Sequence, residues 1–215
     1  MTTQTKRFNK FSVPLGLLDY VNPIFYTITI VTIIRNMSDE MGAPYSIILL
    51  IGAVLSILFG FIIPTGKVIV GLGIIEFRMP VSLVFAVNTG ILISGLMVCR
   101  HVMRLNAVAL AVTVAVIILL LLLLYLKTSK INTIAVLTGA IGYLMLYISL
   151  ITLSIRTGIT IPIIMYAVAI LLFVMLCGIG IKADLKNPKV HWVIEISNVI
   201  CQMLVAAATV VVFNG

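Results

Sequence analysis

The sequence predicts an all-α integral membrane protein that forms one transmembrane bundle over residues 1–215. Hydrophobic residues make up 62% of the chain and charged residues only 9%, whereas an ordinary soluble domain is about half apolar and about a quarter charged. The mean hydropathy is +1.30. Apolar runs of roughly 20 residues, the length that crosses a bilayer, recur along the whole chain with short connections between them.

The first apolar run follows a basic segment, MTTQTKRFNK, as the hydrophobic part of a signal peptide would. The run is too long for a signal peptide, contains Asp19 and has no small-residue cleavage site after it. We therefore interpret it as a retained first span. The seven predicted transmembrane helices cover residues 13–34, 44–64, 80–102, 105–126, 131–154, 159–181 and 191–213.

The segment 65–80, TGKVIVGLGIIEFRMP, does not fit this scheme. Only eight residues separate Lys67 from Glu76, which is too few to cross a membrane. We expect an interfacial helix, a re-entrant loop or the start of a long, kinked third span. Pro80 suits a kink or the first turn of a helix.

The distribution of positive charge predicts the orientation. Lysine and arginine concentrate on the cytoplasmic side of membrane proteins. If the N-terminus is inside, ten of the 14 cationic residues are cytoplasmic, and Arg35, Arg100, Arg104 and Arg156 lie outside. This predicts an N-in/C-out protein, which we place in a prokaryotic cell membrane. The net charge of +8 belongs to short loops and tails, so we expect the lipid bilayer as partner and no nucleic acid.

An internal repeat is a further prediction. YTITIVTIIR (26–35) aligns with YISLITLSIR (147–156), and in each case a proline, Pro44 or Pro162, lies at the start of the next span. This suggests a 3+1+3 plan of parallel repeats, 13–102 and 131–213, joined by a linker helix at 105–126. The plan is analogous to that of the SWEET sugar transporters, although the chain lacks their Pro-Gln motif and differs in orientation. The alternative is chance recurrence of common membrane residues.

Polar residues recur at helical spacing in the first and last spans, and each set falls on one helix face. The first set is Asp19, Asn22, Tyr26 and Thr29, and the second is His191, Glu195, Asn198 and Gln202. Both acids lie a few residues into spans that run in the same direction, so they are expected at similar depth. With Asn88 of the third span, these residues predict a polar cavity open to the cytoplasm that forms a substrate or proton pathway. The alternative is that they hold helices together, with the acids paired to Lys10, Arg78 or Lys189.

The leading functional hypothesis is a small transporter or facilitator for a small polar solute, with proton linkage through the intramembrane carboxylates as an option. One alternative is a non-catalytic sensor, accessory or immunity subunit that acts through a membrane partner or as a homo-oligomer. Another is an intramembrane lipid-modifying enzyme. We expect no catalytic residues, cofactor or metal site, because no enzyme motif is present and the two histidines, His101 and His191, lie toward opposite faces.

Overall fold

A computed structural model of the chain describes residues 12–74, 80–182 and 188–214. In these residues the chain forms α-helices joined by short connections. The helices are α1 (Val13–Asp19), α2 (Val21–Met41), α3 (Ala43–Gly71), α4 (Val81–Val102), α5 (Ala107–Thr128), α6 (Ile131–Thr157), α7 (Thr160–Lys182) and α8 (Pro188–Asn214).

The described helices confirm a multi-pass bundle of the membrane type. Six helical stretches are long and apolar enough to cross a bilayer: Val13–Met41, Ala43–Gly71, Val81–Val102, Ala107–Thr128, Ile131–Thr157 and Val190–Asn214. In α7 the described apolar stretch, Thr160–Leu176, is shorter than this. The count of seven spans, the orientation, the internal repeat and the prokaryotic cell membrane stay predictions.

The first predicted span is interrupted and extends beyond its predicted end. Pro23 has no amide hydrogen to donate to the carbonyl of Asp19, one turn earlier, and the helix breaks at Tyr20, between α1 and α2. At the other end, α2 continues past Arg35 to Met41. The extra turns bury Met41, which is only 3% exposed, and the helix ends where Gly42 adopts a positive φ of 79°.

The second span is also longer than predicted. Helix α3 continues through the buried Pro64 to Gly71, so residues 65–71 belong to α3 and not to a separate interfacial or re-entrant segment. Residues 75–79 lie outside the described part of the chain. Pro80 precedes the first residue of α4, in agreement with its predicted place at a helix start.

Six helices form a closed ring. Going round it, α2 packs against α3, α3 against α4, α4 against α6, α6 against α7, α7 against α8, and α8 against α2. The short helix α1 lies against the ends of α3 and α8. Helix α5 lies outside the ring against α6, and its only buried residue is Ile117. An apolar sequence on all its faces suits this lipid-facing position.

Helix α4 is held in the ring by backbone contacts at glycines. A methyl group on Gly90 would lie 2.6 Å from the carbonyl oxygen of Gly52 in α3. A methyl group on Gly142 of α6 would lie 2.6 Å from the Cα atom of Leu92 in α4. Small residues at such positions let helix backbones approach closely in membranes, where van der Waals packing drives association.

The two halves of the bundle differ in packing. We name the end that contains Val13 the inner face and the opposite end, with the connections 42 and 103–106, the outer face, after the predicted orientation. Most fully buried apolar side chains lie in the outer half, among them Ile30, Ile33, Val98, Leu150 and Val205. The inner half holds a cavity instead.

The close packing of α4 against α6 is testable at Gly142. Gly142→Ala should lower the apparent melting temperature in detergent, because the added methyl group forces α4 and α6 apart at a cost of about 1–3 kcal/mol. Gly60→Ala in α3 is the matched control, because a methyl group there would lie at an ordinary 3.4 Å from Pro23. If Gly142→Ala has the same apparent melting temperature as the wild type, the close contact between α4 and α6 is contradicted.

Candidate functional site

Lys67 of α3 brings the two intramembrane carboxylates together. Its Nζ atom lies 2.6 Å from Oδ2 of Asp19 and 3.3 Å from Oε1 of Glu195. The three side chains are only 12–18% exposed. Ionised groups inside a membrane are costly unless they are paired, and here one ammonium group pairs with a carboxylate from α1 and another from α8.

Asn22 makes a second bridge between the same two carboxylates. Its Nδ2 atom donates to Oδ1 of Asp19 at 3.2 Å and to Oε2 of Glu195 at 3.4 Å. We name Asp19, Asn22, Lys67 and Glu195 the ionic cluster. Because its members come from α1, α2, α3 and α8, the ionic cluster joins four helices at the inner end of the ring.

The local sequence explains how α1 reaches this position. A methyl group on Gly16 would lie 2.9 Å from Cγ2 of Val68, so glycine lets α1 lie directly on the last turns of α3. Asp19 follows one turn after Gly16, and Lys67 directly precedes Val68. The Tyr20 hydroxyl is also 2.6 Å from the hydroxyl of Thr65. These contacts fix Asp19 beside Lys67.

Lys67 is the site residue that sequence reasoning missed, because it was counted as a cytoplasmic loop residue. A signal for it exists. Ser56, Gly60, Ile63 and Lys67 follow spacings of four, three and four, which place them on one face of an unbroken helix. The proposed alternative partners Lys10 and Arg78, and the side chain of Lys189, lie outside the described residues.

A cavity of about 310 Å³ lies at the centre of the inner half of the bundle. All six ring helices contribute to its wall. The predicted site residues that line it are Asp19, Asn22, Tyr26, Asn88 and Asn198. Residues from the predicted stripes of the first and last spans therefore lie around one space together with Asn88 of α4.

Two predicted site residues occupy other positions. Gln202 is buried farther toward the outer face, where its Nε2 atom donates to the Tyr147 hydroxyl at 3.5 Å. It holds α8 against α6 and does not line the cavity. His191 is half-buried near the start of α8 and is not part of the cavity wall either. The α8 stripe thus meets the cavity through Asn198 only.

Aromatic rings close the cavity toward the outer face. Tyr26 and Tyr143 meet edge to face with their centroids 6.2 Å apart, and Tyr143 lies 5.7 Å from Phe173. Tyr147, which is fully buried, packs behind Tyr143 at 5.6 Å. Beyond these rings lies the densely packed apolar core, so the cavity is closed on its outer side.

Two buried polar atoms of residues that line the cavity have no protein partner in the described part of the chain. Oδ1 of Asn22 is buried and has no hydrogen-bond partner within 3.5 Å. The Tyr26 hydroxyl approaches Ser56 and Ser94, but it too has no partner within that distance. Buried polar groups are normally hydrogen-bonded. Asn22 and Tyr26 therefore each hold an unsatisfied polar atom beside the cavity.

Comparisons with known proteins do not supply a family. No family model matches the chain, and neither a curated protein nor a solved structure matches it. The plan analogous to that of the SWEET transporters therefore rests on span order alone. The function of the protein is therefore inferred from the residues and geometry of the site.

The ionic cluster predicts a charge-specific pattern of stability. Lys67→Met should destabilise the protein by roughly 3 kcal/mol or somewhat less, because it leaves two carboxylates facing each other in a largely buried site. The loss is measured as a fall in the apparent melting temperature or in the free energy of unfolding. Lys127→Met, at an exposed position near the end of α5, is the control and should change neither.

The double variant Lys67→Met/Glu195→Gln separates charge repulsion from lost contacts. It should be more stable than Lys67→Met alone, because one uncompensated carboxylate has been removed. If Glu195→Gln instead lowers the stability of Lys67→Met by as much as it lowers that of the wild type, the two carboxylates do not share Lys67.

Proposed function

We propose that this protein is a small transporter that binds a small polar solute in the central cavity. The observation that carries the proposal is the cavity of about 310 Å³ in the inner half of the bundle, lined by Asn22 and Tyr26, each of which holds a buried polar atom without a partner in the described part of the chain. Its volume is at the lower end of the range for small-molecule sites, and its wall combines apolar surface with a few convergent polar groups, as such sites do.

The cavity wall indicates the chemistry of the solute. The amides of Asn22, Asn88 and Asn198 provide both donors and acceptors, and the Asp19 carboxylate adds an acceptor at the inner end. The aromatic rings form an apolar floor. A compact solute with several hydrogen-bonding groups matches this wall better than a large or wholly apolar one.

The ionic cluster suits a gate at the inner end of this pathway. Two carboxylates share the Lys67 ammonium group, so one proton or one cationic group can be accepted there without creating excess positive charge among these three side chains. Such uptake would weaken the attraction that holds α1, α3 and α8 together. In this proposal, loss of the ion pairs opens the α2–α8 seam and couples solute movement to protons.

The other seam of the ring supplies the hinge in this proposal. Helices α4 and α6 meet through the backbones around Gly95 and Gly142, and these apolar contacts do not depend on charge. If residues 13–102 and 131–213 are parallel repeats, α2–α4 and α6–α8 are two units that rock about this seam. Rocking of one repeat against the other is a common route to alternating access in transporters.

The cavity favours a transporter over the two alternatives. A non-catalytic accessory or immunity subunit would be expected to have a tightly packed interior and to present its binding surface to lipid. A lipid-modifying enzyme would need reactive carboxylates beside a lateral opening, whereas Asp19 and Glu195 are held by Lys67 and Asn22. We therefore retain the transporter as the proposed function.

Transport should depend on both acids. Asp19→Asn and Glu195→Gln should each abolish uptake in proteoliposomes. Either change removes one of the two carboxylates that pair with Lys67 and that, in this proposal, take up the proton or the cationic group at the gate. Small polar solutes, such as amino acids, amines and polyols, are screened first with the wild type, and proton movement is followed with an internal pH dye. Uptake at wild-type levels in both variants would contradict the proposal.

The matched control for this experiment is Asp39→Asn, an exposed acid near the outer end of α2. It should transport as the wild type does. All proteins are compared for expression, monodispersity and melting temperature, so that loss of uptake is not confused with loss of folding.

Substitutions that change the space around Asn88 test whether the solute occupies the central cavity. A methyl group on Gly139 would overlap the side-chain amide of Asn88, so Gly139→Ala should push that amide into the cavity and weaken solute binding at least tenfold. Asn88→Ala/Gly139→Ala removes the overlap and should restore the melting temperature, although the Asn88 hydrogen bonds to solute remain lost. Unchanged binding in Gly139→Ala would place the solute elsewhere.

A further inference from the structure

A second cavity, of about 660 Å³, opens at the outer face and is separate from the central cavity. Its wall comes from the last turns of α2, α4 and α6, from the connection after α4 and from Phe213 near the end of α8. We name it the arginine pocket, because Arg100, Arg104 and Arg156 line it. Its other charged or titratable residues are His101 and Glu40.

The arginine pocket has excess positive charge. Among the described residues that line it, Glu40 is the only one with a side-chain carboxylate, and Oε2 of Glu40 lies 3.5 Å from Nε2 of His101. In the described part of the chain, no carboxylate lies within 4 Å of any of the three guanidinium groups. The described residues that line the pocket therefore include three arginines and one acidic residue.

Two of the guanidinium groups, those of Arg100 and Arg156, are held in place by contacts with the protein. Arg100 stacks on the Tyr45 ring, with its Cζ atom 3.3 Å from the ring centroid, and its buried Nε atom has no hydrogen-bond partner. Arg156 donates from Nη1 to the carbonyl oxygen of Val102 at the end of α4. A guanidinium group has five N–H donors in a planar fork, and the bond to Val102 uses one donor of Arg156.

Arg104 lies in the turn between α4 and α5 with a φ of +54°. This left-handed conformation is uncommon for a residue other than glycine, and asparagine and aspartate tolerate it better. The turn nevertheless carries an arginine, exposed and in the wall of the pocket. The side chain, and not the backbone preference, accounts for this residue type.

The cationic residues at the outer face are arginines and not lysines, which supports a ligand that binds guanidinium groups. The chain has eight lysines and six arginines, and the four cationic residues at the outer face, Arg35, Arg100, Arg104 and Arg156, are all arginines. Either residue type could neutralise a helix C-terminus or extend to the membrane interface. Arginine is favoured where a planar group binds two oxygens of a phosphate or carboxylate at once.

We propose that the arginine pocket binds a phosphate group at the outer face of the membrane. The phosphate belongs either to an anionic lipid headgroup or to a soluble phosphorylated compound, since both present the same oxygens to Arg100, Arg104 and Arg156. The site is independent of the ionic cluster and of the central cavity, so its test does not depend on the transport proposal.

The first measurement uses the full-length protein purified in detergent. Potassium phosphate is titrated against potassium chloride at equal ionic strength, and the apparent melting temperature is followed. The second measurement adds short-chain phosphatidylglycerol or, for comparison, phosphatidylcholine, and counts bound lipid by native mass spectrometry. Competition between phosphate and phosphatidylglycerol reports whether the two share one site.

Arg104→Gln and Arg156→Gln should each weaken binding of the probe at least tenfold. Arg104→Lys should weaken it less than Arg104→Gln, because it keeps the charge and loses the planar fork. Arg35→Gln is the matched control: it removes an exposed arginine of the same face that does not line the pocket, and it should bind as the wild type does. Asp19→Asn should also leave binding unchanged.

Each outcome decides the proposal. Binding of phosphate alone, with the expected effects of the variants, supports a soluble ligand, and binding of phosphatidylglycerol alone with the same effects supports a lipid headgroup. Binding of both in competition supports a shared phosphate site. The proposal is overturned if neither probe binds in preference to chloride or phosphatidylcholine, or if Arg35→Gln weakens binding as much as Arg104→Gln does.

Discussion

At the inner end of the bundle, the arrangement of the helices depends on the free-energy cost of placing charged side chains in a membrane. Asp19 and Glu195 are largely buried there, and the Lys67 ammonium group lies between them and pairs with each. This requirement extends into the fold: α3 must run beyond Pro64 far enough to carry Lys67, and α1 must lie on its last turns. Asn22 then joins α2 to the same group. One ammonium group thus determines how four helices meet.

The ring therefore contains two kinds of helix contact. Around Gly95 and Gly142, α4 and α6 touch through their backbones, and such packing acts over short distances and is unaffected by ionisation. Between α2 and α8 at the inner end, Asn22 bridges to Glu195, and this contact depends on the charge state of the ionic cluster. The ring thus combines a seam of close backbone packing with a seam that includes an ionisable group.

Local patterns predicted much of the fold and part of the site. Apolar length located the spans, and helical spacing placed Asp19, Asn22, Asn88 and Asn198 on faces that meet. Lys67 has the helical spacing of Ser56, Gly60 and Ile63, but the sequence alone does not show that α3 continues past Pro64, where Val68 packs against Gly16. Gln202 has the right spacing but lies one turn beyond Asn198, where the cavity has given way to the core.

Helix α5 contributes almost nothing to the core, yet it determines the direction of every helix after it. It crosses once outside the ring, so α6 begins at the same face as α2. The number of crossings before α6 is thereby even. An odd number would reverse α6, α7 and α8, and Gly139, Phe173 and Asn198 would line the opposite half of the ring. A helix that lies outside the ring and has one buried residue is therefore what allows both halves of the chain to build the same cavity.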